Sequence, residues 1–421
     1  PFEVVRFFFV MYNDCILDCF GPSNEDTMDI RSITLFCEPT LDPAIAHSFF
    51  HAANAAFSVP IQFRRVAFTP FPEWWNTAEP ASPQAEAIAR RWLDTGADYV
   101  NLGPVQLHHE LEWINRLPAL LGTADAVFAA AEIADTQGYI NTGRCSSVGR
   151  IILENSTAEE NGLGNLYFAA LANCPPGSPF FPVAYHAGGP PTFALAVEAA
   201  DIILHAVEQS GTLAEAQQNL VRAIEAATAG LAQAGRELAA AYPVAFAGID
   251  FSPAPFPTPE KSLARAIESL GLPWLGASGS IFAAAIVAEA IDQADFPRCG
   301  FSGLMLPVLE DTVLANRVAD GRILINDLLS WAAVCGAGLD TIPLAGNVTA
   351  SQIAAILLDV AALAVRLDKP LTARLMPIPG LRAGDTVALD FPYFTNTQVM
   401  KIPSRGLTGL LEIPGRIQLR P

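Results

Sequence analysis

The chain has few basic side chains and few charged residues of any kind. Of its 421 residues, 24 are Lys or Arg and 43 are Asp or Glu, which gives a formal net charge of −19. Nucleic acids and anionic membrane surfaces are bound through clustered Lys and Arg, so this composition argues against both kinds of partner. Charged residues make up only 16% of the chain and hydrophobic residues 51%. This balance excludes a disordered chain and predicts a large buried core.

Long uninterrupted apolar runs and closely paired cysteines are also missing. The run from Ile353 to Val365 contains Asp359 and is too short to cross a bilayer, so we expect no transmembrane helix. The seven cysteines are scattered and form no Cys-x-x-Cys, which argues against a zinc knuckle or a thioredoxin-like motif. Reduced thiols in a reducing compartment are the simplest interpretation, so we expect a cytoplasmic protein without a metal centre.

Three common catalytic and nucleotide-binding motifs are absent. There is no G-x-G-x-x-G, no P-loop with its Lys, and no G-x-S-x-G nucleophile elbow. The stretch Gly276–Ser280 precedes an apolar helix, so Ser278 and Gly279 could present backbone amides to an anion. N-capping by Ser278 or Ser280 is the simpler role.

The first 27 residues differ from the rest of the chain. Met28 directly precedes the first clear strand, and Asn13, Asp14 and Asp18 interrupt the early apolar stretch. We therefore expect residues 1–27 to be an upstream extension rather than a secretory leader.

From Met28 onwards, strand-like and helical stretches alternate. This order predicts βαβ units and a mainly parallel α/β sheet of about ten strands. We expect a single domain over residues 28–402, followed by a basic, mobile tail over 403–421. Periodicity alone allows either an open sheet or a closed barrel.

Two loops are the first candidates for chemistry. An apolar strand ends at Asp250 and a proline-rich turn follows, and strand ends are where α/β proteins present functional groups. Capping of the turn by Asp250 is an equally good alternative. His186 precedes Gly188 and Gly189, which would let a ligand approach the backbone closely beside an imidazole that titrates near neutral pH. A packing role in the loop is its alternative.

Two further stretches combine flexible turns with reactive groups. Gly300–Gly303 leads to Glu310 and Asp311, a carboxylate pair that could act as acid and base or simply cap a helix. Cys335 and Asp340 flank a glycine-rich turn, although a buried structural Cys is the usual outcome.

The histidines elsewhere favour surface roles. His47 and His51 lie four residues apart on a predicted helix, without the Glu of a metalloprotease motif. His108 and His109 fall in a predicted helix over 107–121, where adjacent side chains point in different directions. Neither pair predicts a metal site.

Six stretches together resemble the uncharacterised "PFL family protein" group. No one of them is specific alone, but their order and spacing match from about Met28 to Ile402. They are Met28–Thr34, Arg65–Pro70, the loop around His186, Ile249–Pro255, Gly300–Gly303 with Glu310 and Asp311, and Cys335–Asp340.

The resemblance implies the α/β barrel of pyruvate formate-lyase with surrounding helices, but no established reaction. It also implies an ACT-domain protein as a partner. Glycyl radical enzymes carry an R-V-x-G-Y-like loop, which this chain lacks, so radical catalysis is not expected. Relatives of this group carry a His in the loop occupied here by Gly276–Ser280. If that His is catalytic, Ser278 in its place implies altered or lost activity.

The sequence thus leads to the hypothesis of a non-radical enzyme acting on a small polar metabolite, with no identified cofactor. Asp250 or His186 would be the general base, and Gly303 with the Ser278–Gly279 loop would bind an anionic group. The alternative is a metabolite-binding regulatory protein without turnover. Whether the chain forms a homo-oligomer stays open. The complete predicted site comprises His186, Asp250, Ser278, Gly279, Ser302, Gly303, Glu310, Asp311, Cys335 and Asp340.

Overall fold

An eleven-stranded sheet organises the chain in a computed structural model that describes residues 28–121, 126–334 and 336–420. Two further short strands, β11 and β12, pair only with each other. The strands are β1 Asp29–Phe36, β2 Ile61–Ala67, β3 Tyr99–Val105, β4 Val127–Ala134, β5 Tyr139–Asn141, β6 Phe168–Ala172, β7 Thr192–Glu198, β8 Ala245–Ala254, β9 Gly338–Ala345, β10 Leu371–Ile378, β11 Thr386–Val387, β12 Thr397–Gln398 and β13 Arg416–Gln418.

Helices connect most of the strands, as the alternating pattern predicts. They are α1 Pro43–Ala56, α2 Ala81–Leu93, α3 Glu112–Asn115, α4 Leu117–Leu121, α5 Thr142–Asn155, α6 Ala200–Glu208, α7 Leu213–Ala241, α8 Leu263–Glu268, α9 Ser280–Gln293, α10 Thr312–Ala319, α11 Ile325–Val334 and α12 Ala350–Arg366. Short 3₁₀ helices add Phe71–Glu73, Glu160–Tyr167, Pro259–Lys261 and Gly409–Leu411. The molecule is therefore a mixed α/β fold with a large, mostly parallel sheet, and none of its described helices is both long and apolar enough to cross a membrane.

The sheet has two strand directions. Its main path runs β8-β7-β1-β2-β3-β4-β6-β10-β9. The central strands β1, β2, β3, β4 and β6 are parallel to one another. β7 is antiparallel to β1 and β10 is antiparallel to β6, while β8 and β9 follow the direction of their neighbours. Five parallel strands thus lie between two pairs of opposite direction.

One segment contacts both outer strands of this path. Arg298 forms a parallel bridge with Ile249 of β8, and Pro307 forms one with Asp340 of β9. We call residues 298–309 the crossing segment. The sequence predicts extended structure over its second half, Leu304–Leu309, but the segment forms isolated bridges rather than a continuous strand.

The two faces of the sheet have different surroundings. Ile33, Val66 and Val100 point to one face and belong to the main core, which also contains the apolar sides of the helices. Phe36 and Ala67 are paired in the β1–β2 register and belong to a second cluster with Phe128, Phe181, Ala184 and Ala194. We call this second face the inner face.

The predicted helix over 107–121 is shorter in the structure. Residues 107–111 form turns, and only α3 and α4 are helical. Arg144 of α5 donates to the carbonyl oxygens of Val105, Gln106 and His109, and the Gln106 N–H donates to the His109 ring. The backbone groups of Val105, Gln106 and His109 thus form hydrogen bonds with side chains instead of with a helix. This explains why the helix predicted from residue 107 begins only at Glu112.

The expected tail is attached to the sheet. β13 pairs antiparallel with β5, and the Thr142 hydroxyl donates to the carbonyl oxygen of Ile413. Several apolar side chains in this stretch are nevertheless exposed, among them Leu410 and Ile417.

Candidate functional site

Two arginines on the inner face share two carboxylates. Arg374 of β10 donates from Nε and Nη2 to the two oxygens of Asp340 on β9, at 2.6 and 2.9 Å. Its Nη2 also lies 3.3 Å from Glu310 Oε1, and Arg31 of β1 donates to Glu310 Oε2 at 2.5 Å. The ion pairs thus form a continuous series, Asp340–Arg374–Glu310–Arg31, that connects strands from both halves of the sheet. Glu310 and Asp340, both predicted from sequence, are brought together here.

Burial and charge oppose each other in this cluster. Burial raises the pKa of the Asp340 carboxyl, while the Arg374 guanidinium acts to lower it. Burial would lower the pKa of Arg31 and of Arg374, but the carboxylates outweigh it and raise both. Both guanidinium groups thus stay charged and are neutralised by partners within the cluster.

A third arginine, Arg65 of β2, has no such partner within residues 28–121, 126–334 and 336–420. Its guanidinium carbon lies 5.5 Å from the ring centre of Phe63 and 5.0 Å from that of Phe181. Its Nε is buried without a hydrogen-bond partner, and it takes part in none of the ion pairs found among the described residues. Burial, together with the charges of Arg31 and Arg374, lowers the pKa of Arg65 to about 9. The charge of Glu310 acts to raise the pKa of Arg65, but this carboxylate is paired with Arg31 and Arg374, so Arg65 has no ion pair of its own among the described residues.

Two buried hydroxyl groups accompany Arg65. Thr34 is the direct β1 partner of Arg65, and Ser32 is the partner of Phe63, so their side chains share the inner face. Both residues are fully buried, and neither Ser32 Oγ nor Thr34 Oγ1 has a hydrogen-bond partner in the described part of the chain. An unsatisfied buried polar group costs about 1–3 kcal/mol. Three such atoms on two paired strands are therefore the feature of this face that most favours a bound polar ligand.

Asp250 is bonded on both carboxylate oxygens. Oδ1 accepts from the Ser302 N–H at 2.8 Å and from the Ser252 hydroxyl at 2.6 Å, and Oδ2 accepts from the Phe301 N–H at 3.0 Å. The Gly303 N–H points to Ser252 Oγ at 3.4 Å. Burial raises the pKa of the Asp250 carboxyl above its ordinary value, and these hydrogen bonds offset part of that rise. Asp250, Ser302 and Gly303 thus lie together, in an arrangement that fixes the crossing segment.

His186 lies just beyond the end of β2. Its backbone N–H donates to the carbonyl oxygen of Phe68, and its Nε2 is 3.3 Å from the carbonyl oxygen of Gly189. A neutral ring that donates from Nε2 keeps a free lone pair on Nδ1. The residue is buried, with 4% of its surface exposed.

The remaining predicted residues lie elsewhere or are not described. Asp311 caps α10 through the N–H groups of Val313 and Leu314 and accepts from the Ser262 hydroxyl. Ser278 and Gly279 line a surface groove of about 590 Å³ beside α9 and α11. Cys335 lies outside the described residues.

Glu132 of β4 is a candidate that the sequence-based argument missed. Its side chain is 5% exposed, and Oε2 accepts from the Leu107 N–H at 2.7 Å. Burial raises its pKa to about 7. The signal in the sequence was a single carboxylate inside the otherwise apolar run of β4.

Glu73, His108 and His109 bring their possible ligand atoms within 4.8 Å of one another, which is the spacing of a potential metal site. His109 Nδ1 accepts from the Gln106 N–H at 3.0 Å, which places the proton of the neutral ring on Nε2. Burial and His108 lower the pKa of His109 to about 4, so the ring is neutral at pH 7. A metal on Nε2 would require a proton on Nδ1, directly opposite the Gln106 N–H. We therefore assign no metal to this cluster.

Comparisons with known proteins give a family without an assigned activity. A family model described as "Uncharacterised ACR (DUF711)" matches residues 23–390. A UPF0210 protein of Desulforudis audaxviator is 28% identical over 96% of this chain and 97% of its own length. UPF0210 proteins of Pyrobaculum arsenaticum and Pyrobaculum aerophilum are 36% and 38% identical, over 65% and 52% of this chain. The match spans 61% and 50% of the length of these two relatives.

Proposed function

The chain belongs to the DUF711 family, and we propose that it is a non-radical enzyme acting on a small anionic metabolite held at Arg65 on the inner face. The observation that carries the proposal is the half-buried guanidinium of Arg65 with its buried, unbonded Nε, which lacks, among the described residues, carboxylate partners like those of Arg31 and Arg374. An arginine presents a rigid fork of donors that matches carboxylates and phosphates. A bound anion would neutralise Arg65 and accept from the hydroxyls of Ser32 and Thr34.

The proposal includes the closed barrel that the resemblance to pyruvate formate-lyase implies. Its support is the crossing segment, which bridges both β8 and β9. Closure would make the inner face an enclosed interior, where a guanidinium interacts with an anion more strongly than in water. It would also account for the contact of Arg31 and Arg374 with one carboxylate, although β1 and β10 are five places apart in the sheet order.

His186 is the proton acceptor in this proposal. The loop that contains His186, residues 173–191, also carries Phe181, whose ring lies against Arg65. Phe68, to which His186 is bonded, is three residues beyond Arg65, or about 10 Å along an extended strand. A metabolite anchored at Arg65 could thus present a C–H or O–H group to His186 Nδ1. Asp250 is the weaker candidate for a base, because three donors already use its oxygens.

A regulatory role without turnover is the second candidate, with or without an ACT-domain partner. The structural role of Asp250 favours it, because one of the two bases predicted from sequence is already engaged. Both functions need the same anion site and differ only in proton transfer.

The test has two stages on the full chain. Thermal-shift measurements with small carboxylates and inorganic phosphate are compared for the parent, Arg65→Gln and Arg64→Gln. Stabilisation that Arg65→Gln loses and Arg64→Gln retains supports the anion site. NMR in D₂O then follows exchange of ligand C–H for deuterium. Exchange in the parent that His186→Asn abolishes supports an enzyme, and binding without exchange supports the regulator. Binding that does not depend on Arg65 overturns both.

A further inference from the structure

The surroundings of Arg65 are aromatic, and this bears on the kind of anion it holds. The rings of Phe63 and Phe181 flank the guanidinium. Phe63 contacts Tyr99 with ring centres 5.3 Å apart, and Phe128 contacts both Tyr99 and Phe181 at 5.3 and 5.2 Å. Tyr167 and Tyr393 extend this group, at 5.1 Å from Phe128 and 5.6 Å from Phe63. We call these six side chains and Arg65 the aromatic site.

The hydrogen-bonding capacity of the Arg65 guanidinium is left unsatisfied at its edge, where Nε lies. Rings near a guanidinium interact with its positive charge through their π systems, but they accept no conventional hydrogen bond from Nε. The Nε of Arg65 therefore needs an acceptor that lies in the guanidinium plane. A carboxylate can accept from Nε and a terminal nitrogen at once, as Asp340 does from Arg374.

The rest of the ligand would meet apolar side chains. Beyond Arg65, the inner face continues with Ala67, Phe36, Ala194 and Ala184, all fully buried. A ligand rich in hydroxyl or phosphate groups would lose hydration there without gaining enough hydrogen bonds. An aromatic ring would instead gain apolar contact and edge-to-face geometry with the surrounding rings.

We propose that the ligand held at Arg65 is an aromatic carboxylic acid, with its carboxylate on Arg65 and its ring among the rings of the aromatic site. This inference rests on the proposed anion site and adds the class of molecule. Ser32 and Thr34 would donate their hydroxyl groups to the same carboxylate, because they lie on the same face of the paired strand.

The experiment compares four probes on the full chain by calorimetry: benzoate, cyclohexanecarboxylate, acetate and inorganic phosphate. We expect benzoate to bind at least about tenfold more tightly than acetate, and more tightly than the saturated ring. Arg65→Gln should abolish benzoate binding, whereas Arg64→Gln should leave it unchanged.

A second variant tests the ring. Phe181→Leu keeps an apolar side chain but removes the aromatic neighbour, so it should reduce the preference for benzoate over acetate several-fold. Phe63→Leu should act in the same direction, and it replaces Phe181→Leu if that variant does not fold.

Four outcomes would overturn the assignment of an aromatic acid. Equal affinity for benzoate and acetate, or for benzoate and cyclohexanecarboxylate, would contradict the ligand class and leave the anion site at Arg65 intact. Tighter Arg65-dependent binding of inorganic phosphate would do the same. If no probe binds in an Arg65-dependent way, both the ligand class and the proposed function are wrong.

Discussion

Arg64 and Arg65 are neighbours in sequence with opposite environments. Arg64 donates to both oxygens of Asp98, from Nε at 3.1 Å and from Nη2 at 2.9 Å. Arg65 lies on the other face of β2, among aromatic rings and without a carboxylate partner in the part of the chain that is described. Successive side chains of a strand point to opposite faces of the sheet. Arg64 therefore lies in a surface ion pair, and Arg65 lies in the candidate binding site.

The first prediction concerns these two residues. Arg65→Met should raise the free energy of unfolding in buffers without carboxylate or phosphate ions, by about 1–2 kcal/mol, because it removes a half-buried charge that has no ion-pair partner among the described residues. Arg64→Met should lower it by up to about 1 kcal/mol, because it breaks a partly exposed ion pair. Urea unfolding of both variants measures the difference. Equal destabilisation by the two substitutions would show that the charge of Arg65 does not lower the stability of the folded protein.

The second prediction is a pH dependence from Glu132. Its pKa is about 7 in the folded protein, against an ordinary value of 4.5. A carboxyl whose pKa is raised on folding contributes stability that is full below pH 4.5 and is lost as the pH rises through 7. The loss should be about 3–4 kcal/mol, since the pKa rises from 4.5 to about 7 and one pKa unit corresponds to about 1.4 kcal/mol.

Glu132→Gln keeps an acceptor for the Leu107 N–H and removes the titration. The stability of the parent relative to this variant should therefore fall between pH 4.5 and pH 8. Denaturation curves at these two values test it, and a constant difference would mean that Glu132 has an ordinary pKa.

The third prediction tests how Asp250 is coupled to the crossing segment. Gly300 has φ +62°, and a Cβ there would overlap Asp250 Oδ2. Gly300→Ala should therefore destabilise the protein by about 2 kcal/mol or more. Asp250→Ala should cost about 3 kcal/mol through the loss of hydrogen bonds to Ser252, Phe301 and Ser302.

The double variant tests whether Gly300 and Asp250 are energetically coupled. Because Asp250→Ala removes the atom that a Cβ at Gly300 would meet, the two costs should fall short of their sum by at least about 1 kcal/mol. Additive costs would show that Gly300 and Asp250 act independently.

The fourth prediction compares two glutamates in ion pairs. Glu310→Gln should destabilise by about 3–5 kcal/mol, because it leaves the buried charges of Arg31 and Arg374 less compensated. Glu268→Gln removes the partner of Arg317, which is closer to the surface, and should cost about 1 kcal/mol. Chemical denaturation ranks the two. A smaller cost for Glu310→Gln would argue that solvent reaches the cluster.

The alternation of strands and helices was sufficient to predict the class of fold, because each βαβ unit is coded locally. The opposite direction of β7 beside β1 was not predictable, because the pairing joins segments far apart in sequence. The same holds for Asp250, whose partners Phe301 and Ser302 lie about fifty residues later in the chain. A single carboxylate at a strand end looks the same whether it faces a ligand or fixes a distant loop.

The site was only partly accessible from the sequence for a related reason. Glu310 and Asp340 stood out as carboxylates beside flexible turns, and the structure brings them together through Arg374. Arg65 did not stand out, because only the register of β2 decides which of two adjacent arginines faces inward. The role of Arg65 depends on the residues around it, and these lie on four strands, two loops and a 3₁₀ helix.

The position of β1 between β2 and β7 has a consequence for how the chain is made. β2 leaves the ribosome shortly after β1, whereas the stretch from Phe36 to Thr192 takes roughly 8 to 30 s to synthesise at about 5–20 residues per second. During that interval one side of β1 has no strand to pair with. A nascent chain of this length would expose an apolar, unpaired edge, which is the kind of surface that chaperones bind and that promotes aggregation when they are absent.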